Sequence, residues 1–154
     1  MQSLSGECLA GRQTGIARIR PRVFLLGWVM LAGALGAGSR SVWDGVFTKE
    51  QAQRGQLAYA RECARCHGEN LAGGEASPAL VGADFLSHWN GKTAGGLYEY
   101  LRKTMPTDDP GNLSTREYSD LVAYIFSTND FPAGDKELDR DAASLDEIRI
   151  EPKR

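Results

Sequence analysis

The chain has 154 residues, 42% of them hydrophobic and 25% charged, with a formal net charge of −2, three cysteines and two histidines. That is the size of one ordinary domain able to bury most of its apolar surface, and the composition excludes collagen, coiled coil and wholesale disorder. Near-neutral charge argues against nucleic acid as a partner, because phosphate binding needs a clustered basic face.

The chain begins with a targeting pattern. Arg18, Arg20 and Arg22 precede fifteen uncharged residues, Val23 to Ala37. A basic region, an apolar stretch of this length and small residues after it are the parts of a secretory signal peptide, with cleavage expected near Ala37. The competing reading is a retained membrane anchor, since uncharged residues continue to Ser39, seventeen in all, at the short end of a bilayer span. Residues 1–37 hold four arginines and one glutamate, so the remaining 117 residues carry 14 basic and 19 acidic side chains, a net −5. Cys8 falls in the leading segment, which leaves Cys63 and Cys66. A disulfide between residues three apart closes a very small loop and removes little entropy from the unfolded chain, so a chemical purpose is expected for the pair.

Three helices are predicted. Thr48-Lys49-Glu50-Gln51 reads as a capping box that starts the first, with Ala52, Gly55 and Tyr59 on one face. A second is expected from about Thr93 to Thr104, with Leu97, Tyr98 and Leu101 at helical spacing, and it should stop at Met105-Pro106. The third follows the turn Asp109-Pro110-Gly111, opens with the capping box Ser114 to Glu117, and carries the stripe Tyr118, Leu121, Val122 and Ile125. Between Gly68 and Gly96 the sequence reads as long glycine-rich connections, and no confident strand emerges. The expected fold is all-α and small, with residues 38–130 as its domain and 131–154 as a charged C-terminal extension. For that extension, Leu138, Leu145, Ile148 and Ile150 among the charges leave open a wrap across the core, a docking segment or a solvated tail.

Cys63-Ala64-Arg65-Cys66-His67 is C-x-x-C-H, the spacing of c-type haem attachment. Two thiols one helical turn apart can each add to a porphyrin vinyl group, and the histidine after the second sets an imidazole at the iron. A thioredoxin-like pair would need a βαβ context and a thiol at a helix start. A zinc site would need four ligands, and beyond the motif only His88 remains, without a second pair at similar spacing. The sixth iron position decides the chemistry. Met105, the one methionine after residue 37, would supply a neutral, soft thioether that favours Fe(II). His88 as ligand, or an open site, are the alternatives.

These residues resemble the class I cytochrome c family over about Phe47 to Asn129. Gly55 and Tyr59 look like the family's first-helix glycine and aromatic, and Leu121 to Tyr124 is similar to its last-helix pattern, where the two helices cross closely. Ser77 to Gly82 resembles the segment whose proline carbonyl accepts from the axial histidine Nδ1, which implies that Pro78 orients His67. Thr104-Met105-Pro106 looks like the distal methionine loop of short bacterial members, and Trp89 stands where members often hydrogen-bond a haem propionate. The resemblance implies a periplasmic monohaem carrier of single electrons, with one covalent haem c, attached by Cys63 and Cys66 and ligated by His67 and Met105. Implied partners are redox proteins such as a quinoprotein dehydrogenase or a terminal oxidase. The alternatives are a haem enzyme or gas sensor with an open sixth site, and a haem-bearing subunit of a dehydrogenase complex.

Overall fold

Thr48 accepts the Gln51 N–H at 3.1 Å and starts α1, Lys49–Glu62, in the computed structural model of the protein, which describes residues 39–75 and 77–153. The expected signal or anchor, 1–37, lies outside the described residues, and among these no helix is long and apolar enough to cross a membrane. A single turn, α2, follows at Ala64–His67, then α3 at Gly82–Trp89, α4 at Ala94–Thr104, α5 at Thr115–Thr128 and a short α6 at Ala142–Leu145. Two residue pairs, β1 Arg40–Ser41 and β2 Ile148–Arg149, form a parallel bridge between the two ends of the described chain. The fold is all-α, wrapped around one hydrophobic core.

Helices α1 and α5 make the largest interface. Gly55 permits it: a Cβ there would overlap the Asp120 carbonyl oxygen and come within 2.8 Å of Tyr124 Cβ. Beside the crossing, Arg54 binds Asp120 through two hydrogen bonds of 2.9 Å. Both halves of the Ser114–Glu117 capping box form at the start of α5. At α1 the box is only half made, which corrects the sequence expectation. Gln51 turns inward instead, donating to Ser119 Oγ and Leu138 O and accepting the Leu138 N–H at 2.7 Å. A buried amide gains more by satisfying three buried partners than by reaching one exposed N–H at its own helix end.

The stretch from Gly68 to Gly96 is not all connection, because α3 lies within it. Its N-cap, Val81, has no capping side chain; Asn129, at the end of α5, accepts the Gly82 N–H at 2.9 Å and donates to Leu80 O at 2.9 Å. Residues 131–153 are not a solvated tail. Phe131, Leu138, Leu145, Ile148 and Ile150 are all buried in the core. The segment is pinned at Gln51 and Ser119, then along α4, where Tyr98 donates to Arg140 O and Thr93 to Asp146. It ends with Ile150 exchanging backbone hydrogen bonds with Gly91 and Lys92 at 2.8 and 2.9 Å, and with the Trp43 indole donating to Glu151 O. Burying five large apolar side chains contributes about 1.5–3 kcal/mol each toward ordering the strap, and the hydrogen bonds along it add to that.

Candidate haem site

Cys63 closes α1 as its C-cap, and its carbonyl accepts the N–H groups of Cys66 and His67, which makes the turn α2. This winding sets the two thiols one turn apart with the imidazole next to the second. Tyr59 locks the turn from behind, its hydroxyl donating to Gly68 O at 2.6 Å. The Gly73 N–H bonds to His67 O, and the Leu80 N–H to Leu71 O, so the loop after the motif folds back on it. Buried Leu71 takes a left-handed φ of 60° in this loop, a conformation costing about 1–2 kcal/mol that its complete burial offsets.

The returning loop delivers the Pro78 carbonyl to 2.9 Å from His67 Nδ1. A carbonyl oxygen only accepts, so Nδ1 carries the proton and Nε2 keeps its lone pair for a metal. His67 is 8% exposed, and its Nε2 has no protein partner among the described residues. Cys63, Cys66, His67, Pro78, Trp89 and Met105 all line one cavity of about 450 Å³. Its remaining wall is mainly apolar, with Phe85 from α3, Leu97 and Leu101 from α4, and Leu121 and Ile125 from α5. Burial, reinforced by Glu62, pushes the Cys63 thiol up to about 11, opposite to the lowered thiol of a thioredoxin-like pair.

Met105 is the C-cap of α4 and half-buried, and the peptide bond to Pro106 is cis. His88 touches the same cavity but is exposed, and its Nδ1 lies 2.9 Å from the carbonyl of Asp84 on its own helix. Trp89 packs edge-on against Tyr100 at 5.7 Å with Lys92 over its ring at 4.8 Å, and its indole N–H has no acceptor among the described residues. The cavity wall from α3 and α4, Phe85, Leu97 and Tyr100 above all, was not read from sequence as part of the site. An i, i+3, i+4 stripe at Leu97, Tyr100 and Leu101 is the signal that marks it.

Two thiols, one oriented imidazole, a thioether and an apolar chamber are the donor set and the shape that an iron porphyrin requires. Residues 50–125 match the family model described as cytochrome c oxidase, cbb3-type, subunit III. This segment is a class I cytochrome c domain. Its cofactor is haem c, an iron porphyrin bound covalently, and its role is haem electron transfer. Among solved structures, the chain is similar to one in the crystal structure of the sulfane dehydrogenase SoxCD from Paracoccus pantotrophus, with 19% identity and a TM-score of 0.45 over 70% of this chain. It spans 61% of that chain, under two thirds of its length. No curated protein matches the sequence. Within the cytochrome c domain, the cavity residues come from α1, α2, α3, α4, α5 and the loops at Pro78 and Met105.

Proposed function

We propose that the protein is a periplasmic single-haem electron carrier in which Cys63 and Cys66 attach the haem and His67 and Met105 are the axial iron ligands. Residues 1–37 would export the chain or anchor it, and residues 38–153 would work outside the cytoplasmic membrane. The observation that carries the reading is the His67–Pro78 contact at 2.9 Å on a cavity that Cys63, Cys66 and Met105 also line.

The haem supplies a one-electron iron couple. The protein's residues set its terms. The Pro78 carbonyl fixes the plane of the His67 ring and makes Nε2 a better donor. Met105 offers a neutral sulfur that favours the reduced metal, and the walls of Phe85, Leu97 and Leu121 exclude water, which penalises the extra positive charge of the oxidised state. With His67 and Met105 both holding the iron, no position would be left open to a substrate, so the protein would pass electrons and would not itself catalyse. Donor and acceptor would be redox proteins, a quinoprotein dehydrogenase and a terminal oxidase being the fitting classes.

Optical spectra of the exported protein test this. The oxidised form should show the weak band near the red end that methionine sulfur gives on ferric iron, and Met105→Ala should abolish it while His88→Ala leaves it. A high-spin spectrum with ready carbon monoxide binding in the unmutated protein would favour the open-site alternative. Replacing both Cys63 and Cys66 by Ser should leave no haem that survives denaturing electrophoresis.

A further inference from the structure

We propose that Tyr118 is a positioning residue for the distal ligand: its hydroxyl holds the loop from Met105 to Gly111 in the shape that presents Met105 to the cavity. The proposal rests on the reading of Met105 as an iron ligand. Tyr118 lies in the first turns of α5 and is 1% exposed. Its O–H donates to Met105 O at 2.9 Å and accepts the Gly111 N–H at 3.1 Å, so one atom ties both ends of the loop. Among the described residues, the loop's other links to the rest of the protein are the Met105 N–H bond to Leu101 O that ends α4, which fixes the backbone N–H of Met105 and not the loop beyond it, and the Arg65–Asp108 pair. Those side chains are 79% and 63% exposed, and ion pairs that exposed contribute little.

The phenol itself is held in place. The Tyr98 ring meets it edge-on at 6.4 Å, and Tyr98 OH donates to Arg140 O in the C-terminal strap at 3.2 Å. At this position the apolar stripe of α5 requires only a large side chain, and phenylalanine would fill the same space. The hydroxyl is therefore surplus to packing. Without it the Met105 carbonyl and the Gly111 N–H lose their partner at the hinge of the loop, and the closed loop loses its advantage over the open one.

The test uses the haem-loaded, oxidised protein with Tyr118→Phe and, as a control of comparable size, Tyr98→Phe. Imidazole at saturating concentration captures the iron only when the sixth ligand leaves, so the rate of loss of the red-end band reports loop opening. Tyr118→Phe should open about tenfold faster than the parent, the effect of losing one or two buried hydrogen bonds. Tyr98→Phe should open at the parental rate even if its unfolding midpoint falls as far. Equal acceleration by both variants, or none by Tyr118→Phe, overturns the proposal. Retention of the red-end band in Met105→Ala would instead overturn the ligand assignment itself. Should Tyr118→Phe fail to accumulate, amide exchange in the parent decides: Gly111 N–H should exchange at least about tenfold more slowly than neighbouring Asn112, and equal rates refute the strut.

Discussion

Gly55 lies flat against the backbone of Asp120, with no room for a methyl group between α1 and α5. The atoms in the way are a carbonyl group and the Cβ of Tyr124, none of which is the free end of a flexible side chain. Gly55→Ala should therefore force the helices apart and destabilise the haem-loaded protein by about 3 kcal/mol or more, at the upper end of overpacking effects. Denaturant unfolding checks it, and a parental midpoint would contradict the packing described.

Gln51 is the rivet between the helical core and the strap. Gln51→Ala leaves the Leu138 N–H without its acceptor and Ser119 without one partner, at a cost of about 1–3 kcal/mol. The loss should be local first. Limited proteolysis should cut between about residues 132 and 141 in the variant while α1 and α5 remain intact, and uncut strap at equal protease exposure would count against this role.

The capping box at the start of α5 gives a pH signature. Ser114 donates to the Glu117 carboxylate through its N–H and its hydroxyl, and Arg61 adds a third contact, which together hold Glu117 below the usual carboxylate range. A depressed folded pKa means stability that is fully present above the unfolded value, about 4.3, and lost as pH falls through the folded one. Glu117→Gln should thus be less stable than the parent at pH 7, and the gap should close below about pH 4. Midpoints measured at three pH values check the trend; a gap that widens in acid has the wrong sign.

Three of the helices are legible in the sequence because their signals are local. Thr48, Thr93 and Ser114 each cap their own helix, and Met105-Pro106 stops α4. Helix α3 is not legible, since its first N–H is capped by Asn129 from a helix 47 positions away. Gln51 misleads for the same reason. Its neighbours in sequence suggest a capping partner, while Leu138, 87 positions on, provides a better one. The strap hides its burial because its apolar residues are interspersed with charges and match neither helical nor strand period. At the site, the motif marks Cys63, Cys66 and His67, and the resemblance adds Pro78, Trp89 and Met105. The walls from α3 and α4, and the hydroxyl of Tyr118, become visible only when separate segments meet.

Charge should govern encounter rates. Around the cavity Arg65 and Lys92 stand beside Glu62 and Asp108, so the rim is mixed and the net −5 of residues 38–154 sets the long-range field. Raising ionic strength from about 0.01 to about 0.1 M shortens the screening length from about 30 to about 10 Å. Oxidation of the reduced protein by a cationic cobalt complex should slow across that range, and oxidation by anionic ferricyanide should quicken. Parallel trends for the two oxidants would show that the net charge does not steer approach.

The backbone exchange between Ile150 and the Gly91–Lys92 turn also imposes an order on biosynthesis. Translation runs from N- to C-terminus, and Cys63, Cys66 and His67 leave the ribosome about eighty residues ahead of Ile150. The side of the cavity carrying Trp89 and Lys92 receives these ties only once Ile150 has been made. Until Ile150 is in place, that flank of the chamber lacks its two backbone ties, so the wall at Trp89 and Lys92 is the last part of the cavity to be fastened.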